Sequence, residues 1–383
     1  MIVLYYTQTY FLDGALETLQ SLKQISELHL LIEISPESKK STVIDVPSLE
    51  GFNTIEKFKN VVSQQVWEKF ASYFEGIVSV HFVVHKSNHA FSPLSFYVSR
   101  LVKKYINQLN PDIIHFDTVS VRAIGLTTLA RNYKINITVH DPLPHSGESS
   151  WKTNFAKYLF YRKARHFLFY SAFAQYQFKK HYSYLKPNSN LIRFQPFSFM
   201  RSSITPSGLG KKYILFFGRM SPYKGIDILL DAIPKVLTQH PSSTFVLAGN
   251  TDNYTLDHQT LLDHKNSVII LPGYLSTSQL ADLIENAIFI VCPYRDATQS
   301  GVLMTAFAFG KTVIATNVGA FPEYISNGVN GLLTEPNSIA LAETICQALT
   351  DDYYKNLQQQ VIASFSPLHD ANNRTALLNS YSN

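Results

Sequence analysis

The stretch GRMSPYKGIDILLDAI (residues 218–233) decides the fold when read with its distant companion DATQSGVLMTAFAFGKTVIATNVGAFPE (residues 296–323). The first follows an apolar run, YILFF, and its apolar positions 226, 229, 230, 233 and 237 share one helical face. It reads as strand, loop, helix, with Gly218, Arg219 and Lys224 in the loop. Pro234 interrupts the pattern and is expected to kink or shorten the helix. The companion opens a second helix, residues 301–309, with the small residues Ser300 and Gly301, and Gly310 ends it. Two cations beside a helix N-terminus with bare backbone N–H groups suit a diphosphate.

Working outward, short β-branched runs alternate with helical patterns along the whole chain. In the first half the strand candidates begin at Ile2, Leu28, Ile77, Asp112, Ile135, His166 and Leu191. In the second they begin at Tyr213, Thr244, Ser267, Ile288, Thr312 and Gly331. Runs as apolar as YILFF belong to parallel sheets covered on both faces. At 383 residues the chain exceeds the size at which one core stops growing. The expected fold class is therefore α/β, two doubly wound parallel-sheet domains facing each other across a cleft. The expected division is 1–206 and 207–361, with a linker from Ser207 to Lys212 and a final helical segment, 362–383, crossing back to the first domain. Ligands in such sheets bind at the carboxyl ends of strands, which puts the loops at 218–224 and 296–300 on one rim.

Composition narrows the function. Charged residues are 16% and aromatics 13%, which fits a packed globular protein rather than a disordered one. A net charge of +5 suits anionic small molecules or an anionic membrane surface and falls short of the dense basic face of a nucleic-acid binder. Cys292 and Cys346 have no partner at metal-ligand spacing. The opening MIVLYYTQTYFLDG lacks a basic n-region, and no run approaches the roughly 20 apolar residues that cross a bilayer. The expected location is cytoplasmic, peripheral at the inner face of the membrane if it meets one. Residues 151–182 mix lysines and arginines with many aromatics. Helices there either lie on an anionic leaflet or pack their aromatics inward and solvate a basic face.

The order strand, GRxSPxKG, helix, then SGV…AFGKTVIATNVGAFPE, then NGVNGLL resembles family-4 glycosyltransferases of the GT-B fold, across about a third of the chain. In the first half FLDGALETLQSL, PDIIHF and ITVHDPLPH stand where that family has its glycine loop and its histidine. The resemblance implies a retaining, metal-independent hexosyltransferase that moves a sugar from a nucleoside-diphosphate (NDP) donor to an acceptor hydroxyl. Arg219 and Lys224 then match the pair that grips the donor diphosphate and neutralises the charge growing on the leaving group. Ser300, Gly301 and Val302 match the turn into a helix whose amides face the donor, Gly301 leaving room for its approach. Gly14 matches the glycine loop, and Gly273, Tyr274 and Leu275 stand where the nucleobase would rest. His140 matches the histidine beside the donor sugar, expected as a neutral imidazole. His145 and Glu148 are acceptor-side candidates.

One departure is plain. The family's two glutamates, separated by seven residues, fall here on Ala297 and Thr305. Thr305 is expected to offer a ribose hydroxyl one neutral hydrogen bond, and Asp296 or Gln299 to cover the sugar hydroxyls. There is no Asp-x-Asp pattern, so no metal is expected, and no cofactor is implied. The acceptor class follows loosely from the composition: a lipid-linked oligosaccharide of surface polysaccharide biosynthesis, with a soluble saccharide as the alternative. Two other readings stay open. An NDP-sugar epimerase of the same fold would need carboxylates near the sugar, and a non-catalytic, scaffolding relative would keep the fold without the chemistry.

Overall fold

The structure, a computed structural model, describes all residues except 40, 42, 47, 145–149, 203–207, 211, 252–253, 365–366 and 383. The chain divides into two compact units. One comprises Met1–Pro144, Glu148–Phe194 and Pro367–Asn383, the other Gln195–Ser366. The boundary thus falls before Gln195 rather than at 207. The reason is local: the Phe197 N–H donates to the Met304 carbonyl and the Phe197 ring packs on Gly301, which ties this segment to the second unit.

The first unit runs β1 (Ile2–Gln8), α1 (Leu12–Leu22), β2 (Glu27–Ile34), β3 (Ile55–Lys57), α2 (Phe58–Val61), α3 (Gln64–Phe74), β4 (Ser79–Val84), α4 (Pro93–Leu109) and β5 (Ile113–Phe116). A 3₁₀ segment, Ile124–Arg131, leads to β6 (Lys134–Thr138), α5 (Trp151–Tyr161), β7 (His166–Phe169), α6 (Ala172–His181) and β8 (Asn188–Leu191). The sheet order is β3-β4-β2-β1-β5-β6-β7-β8, parallel throughout except for β3, which runs antiparallel to β4. Every residue of β5 and β7 is buried, as a sheet covered on both faces requires.

The second unit contains β9 (Tyr213–Phe217), α7 (Ile226–Gln239), β10 (Phe245–Gly249), α8 (Gln259–Asp263), β11 (Val268–Pro272), α9 (Thr277–Asn286), β12 (Ala287–Cys292) and α10 (Gly301–Ala308). It continues with β13 (Val313–Thr316), α11 (Phe321–Tyr324), β14 (Gly331–Thr334), α12 (Ser338–Leu349) and α13 (Tyr353–Ala363). The sheet order β11-β10-β9-β12-β13-β14 is wholly parallel. Strand order reverses between β9 and β12, and between β1 and β5 in the first unit, so each sheet has a switch-point crevice at its carboxyl rim. The two doubly wound α/β sheets expected from the alternation are present.

The last helix, α14 (Pro367–Ser382), packs in the first unit. The Asn373 side chain closes both backbone groups of Arg193, accepting from its N–H at 2.6 Å and donating to its carbonyl at 2.8 Å. The Asn136 amide donates to the Ser380 carbonyl, and Tyr381 packs edge-on against His115.

Two local expectations fail for physical reasons. Strand β8 begins at Asn188, three residues before the apolar run LIRF, because β7 pairs with the polar residues ahead of that run. His166 Nε2 and Asn190 Oδ1 lie 2.9 Å apart across the pair. Helix α7 also runs unbroken for 14 residues through Pro234. The missing proline N–H leaves the Leu230 carbonyl without its helical donor. The Thr260 hydroxyl, buried at the start of α8, supplies that bond at 3.0 Å. Thr260→Val keeps the shape and removes this donor, which should cost about 1–3 kcal/mol for the unsatisfied carbonyl. The check is the urea midpoint of the second unit, which should fall against an unchanged transition in the first.

Candidate functional site

The loops after β9 and β12 flank the switch point of the second unit and are fastened to each other. Arg295 donates its backbone N–H to the Tyr223 carbonyl at 2.7 Å. Its guanidinium reaches the Pro222 carbonyl at 3.1 Å and pairs with both oxygens of Asp227 in the first turn of α7. Gly225 closes the join, with φ +63°, and a Cβ there would stand 1.9 Å from the Pro293 carbonyl oxygen. No side chain fits. Lys224 is thus held one residue before a backbone-to-backbone contact.

Lys224 is buried, an unusual position for a lysine. Its ammonium donates to the Tyr294 hydroxyl at 2.7 Å and lies 3.9 Å from the centroid of that ring, with Tyr223 at 5.2 Å on another side. An ammonium over an aromatic face keeps its charge while losing water. Arg219, five residues earlier, is exposed. Tyr294 is fully buried and its backbone carbonyl accepts from the Thr316 hydroxyl, so the residue is held from both ends. Sequence reasoning passed over Tyr294 and Arg295, which carry no charge pattern until the two loops are seen together.

Helix α10 follows the loop after β12 directly. Ser300 caps it, its hydroxyl accepting from the Leu303 N–H at 3.2 Å. The space beside Gly301 holds the Phe197 ring, 3.2 Å from where a Cβ would sit. That position is therefore filled from within the unit rather than left open for a ligand. Thr305 differs from expectation in the same way. It is buried, and its hydroxyl proton goes to the Gly301 carbonyl one turn back at 2.8 Å, an ordinary habit of threonine inside a helix. Ala297 is buried too, and its carbonyl lies against Gly319. Asp296, Gln299 and Val302 are half-buried around the start of α10. Gly218, half-buried at the end of β9, has φ +113° and faces a Val302 methyl. After β11, Gly273 takes φ +101° and its N–H donates to the Gly249 carbonyl, while Tyr274 is exposed and Leu275 half-buried.

In the first unit His140 follows β6 at the carboxyl rim and is buried between the rings of Phe11 at 4.5 Å and Tyr170 at 5.4 Å. Its Nε2 lies 3.3 Å from Asp117 Oδ1. Asp117 is fully buried and also accepts from the Tyr5 hydroxyl and the Thr7 hydroxyl, each at 2.7 Å. Burial works against charge on both groups, yet the pair overrides it. His140, with the Thr7 and Tyr5 donors, holds the Asp117 carboxyl below its usual range. Asp117, aided by Asp141 and Asp13, raises His140 above its ordinary value of 6.5. The carboxylate thus favours the charged form of the imidazole, where the sequence alone led to the expectation of a neutral one. Gly14 is not in a loop. It lies in the first turn of α1, its N–H donating at 2.8 Å to Asp13. Burial pushes the Asp13 carboxyl up to about 6, against the pull of that N–H and of His140. His145 and Glu148 lie outside the described residues.

The buried pair makes stability depend on pH with a definite sign. Its contribution is complete between the ordinary aspartate and imidazole ranges. It is lost on the acid side as Asp117 protonates through its lowered pKa, and on the alkaline side as His140 deprotonates through its raised one. Asp117→Asn leaves His140 without its carboxylate and should cost about 3–5 kcal/mol near pH 6. The melting temperature of the variant, scanned from pH 5 to roughly pH 9, should lose the alkaline decline that His140 gives the native chain.

Two family models match in chain order. The description Glycosyltransferase Family 4 covers residues 61–189 and Glycosyl transferases group 1 covers residues 211–351. An uncharacterised glycosyltransferase of Methanocaldococcus jannaschii is 33% identical over 144 residues, 37% of this chain and 36% of that protein. The chain spans about a third of the length of such curated relatives. The crystal structure of Anabaena HepE in complex with UDP-glucose aligns over 99% of this chain and 100% of its own, with TM-score 0.67 and 18% identity. A crystal structure of UDP-N-acetylglucosamine 2-epimerase aligns over 100% and 96%, with TM-score 0.60 and 12% identity, so the fold extends beyond transferases. The fold is GT-B, and the two family matches together support a glycosyltransferase of the family-4 type.

Proposed function

We propose that the protein is a retaining glycosyltransferase that takes a sugar from an NDP-sugar donor and passes it to an acceptor hydroxyl. The observation that carries this reading is Lys224, a buried lysine fixed by Tyr294 at the switch point, beside the capped start of α10. A cation already stripped of water and fixed by its neighbours meets a developing diphosphate charge without reorganising. Arg219 adds a second cation at the same rim, and the α10 amides add the positive end of a helix dipole. The nucleobase would lie against Gly273, Tyr274 and Leu275, and Asp296 and Gln299 would meet the sugar hydroxyls.

On the first unit, His140 as an imidazolium would donate to a sugar or phosphate oxygen rather than accept from a hydroxyl. The acceptor would lie along the same rim, and His145 and Glu148 are proposed to line its path. A lipid-linked saccharide of a surface polysaccharide suits a chain in which, among the described residues, no helix is long and apolar enough to cross a membrane. With the diphosphate charge met by Lys224, Arg219 and α10, transfer would proceed without a metal ion. A second reading, a fold that binds the donor without turning it over, is favoured by Ala297 and by the hydroxyl of Thr305, which is committed to its own helix. An epimerase would need sugar-side carboxylates beyond Asp296.

The test combines donor binding with turnover. A panel of NDP-sugars, screened by thermal shift, should raise the melting temperature for at least one donor, because binding to the folded state alone stabilises it. With that donor, Lys224→Ala or Arg219→Ala should lower turnover by at least roughly 100-fold with the fold retained. Near-native rates in both variants would place the diphosphate elsewhere. Turnover should also persist in EDTA, and loss restored by magnesium or manganese would overturn the metal-free reading. Donor binding with no transfer or hydrolysis under any acceptor would favour the non-catalytic alternative.

A further inference from the structure

Charge is distributed unevenly along this chain. Residues 86–191 hold 15 Lys/Arg against 4 Asp/Glu, although the whole chain has 33 against 28. The remainder of the molecule is therefore net acidic. The four carboxylates of the basic stretch are Asp112, Asp117 and Asp141, which belong to no helix, and Glu148, which lies outside the described residues. Helices α4, α5 and α6 and the 3₁₀ segment Ile124–Arg131 contain no Asp or Glu at all.

Topology gathers these elements into one layer. The steps β4 to β5, β5 to β6, β6 to β7 and β7 to β8 all move the same way along the sheet. Right-handed crossovers then place their connections on a single face. The packing agrees, since Val102 of α4, Leu126 of the 3₁₀ segment, Phe160 of α5 and Phe178 of α6 share one buried cluster. The opposite face carries α1, with Asp13 and Glu17, and its neighbour α14. One side of this sheet thus presents a helix layer free of carboxylates.

The outer surface of that layer is also aromatic at one end. Trp151 opens α5 at 70% exposure and stacks on Phe91, which also touches Phe155. Phe155 is exposed on the next turn, and Phe96 and Tyr97 are each 54% exposed on the first turn of α4. These helix starts lie at the carboxyl rim of the sheet. The cations Arg100, Lys104, Arg162 and Lys163 lie farther along the same two helices or just past their ends and are exposed as well. Helix α5 is fastened to the segment after His140, because Lys157 donates to the Asp141 carbonyl at 2.6 Å.

We propose that this layer is a docking surface for an anionic lipid leaflet, with Trp151, Phe155, Phe96 and Tyr97 at headgroup level and the cations of α4 and α5 against lipid phosphates. Amphipathic aromatic rings settle at the boundary between headgroups and acyl chains, and each lysine or arginine near an anionic leaflet adds attraction that salt screens. The absence of carboxylates from the layer removes the repulsion that would oppose a planar anionic partner. A folded acidic protein would offer separate charges and pockets, whereas Trp151, Phe155, Phe96 and Tyr97 all stand toward the carboxyl-rim end of the layer, as insertion into a leaflet requires. The surface deepens the proposed function by bringing a lipid-linked acceptor to the rim that holds His140, and it rests on that reading in this respect alone.

Vesicle co-sedimentation of the full chain tests it without any nucleotide. Binding to phosphatidylcholine vesicles containing about one-third phosphatidylglycerol should exceed binding to pure phosphatidylcholine by at least roughly tenfold, and should weaken as salt rises. In a Trp67→Phe background Trp151 is the sole tryptophan, and its emission should shift to the blue on the anionic vesicles. The double variant Trp151→Ala, Phe155→Ala alters two exposed side chains and should keep its circular dichroism and its response to NDP-sugars. Its vesicle binding should fall by at least roughly tenfold. Equal binding to both vesicle types, no binding to either, or an unchanged double variant would overturn the proposal. Displacement from vesicles by single-stranded RNA bound more tightly would identify a nucleic-acid surface instead. A thermal shift with NDP-sugar alongside failed vesicle binding would leave the transfer reading standing, and the reverse pattern would leave the lipid surface standing.

Discussion

A parallel sheet has no face that tolerates water, because its crossover connections bury both sides. That constraint organises each unit of this protein. It keeps strands such as YILFF and HFLF buried at every position and sends most polar function to the loops beyond the strand ends. At the reversal of strand order two of those loops part and leave a crevice. In the second unit the loops are Gly218 to Lys224 and Pro293 to Ser300; in the first, Asp117 follows β5 and Asp13 stands in the first turn of α1 after β1, with His140 after the neighbouring β6.

Such loops would be mobile if nothing fastened them. Here the Pro293 carbonyl occupies the space that a side chain at position 225 would need, and Arg295 spans to Asp227 and Pro222. Lys224 is placed by its backbone first and only then by Tyr294. The first unit uses a different device. Asp117 is buried at the end of β5 and collects Tyr5, Thr7 and His140, so three strands contribute to the position of one imidazole. Both sites put charge in a dry place with a committed partner. An electrostatic interaction prepared in this way is worth more than the same charge in water.

The basic helix layer follows from the same topology. Four successive crossovers in one direction can only cover one face, so any bias in their composition becomes a bias of that face. The mild net charge of the whole chain conceals it. Opposite signs occupy different parts of the molecule, and a single total averages them away.

The sequence by itself determined the sheet-and-helix alternation and the two-unit α/β class, because apolar runs and 3.6-residue periodicity are local signals. It also marked the loops at 218–224 and 296–300, since glycine, proline and paired cations between a strand and a helix are local as well. Tertiary structure decided what those side chains face. The charge state of His140 depends on Asp117, 23 residues away, and the surroundings of Lys224 on Tyr294, 70 residues away. Thr305 looked available for a ribose until the helix claimed its proton, and Pro234 was expected to kink or shorten α7, which instead spans it with Thr260 supplying the missing donor. Strand β8 likewise took its register from β7 rather than from its own apolar run. Each of these outcomes is a hydrogen bond or an ion pair whose partner only folding brings near, and burial then decides how much it weighs.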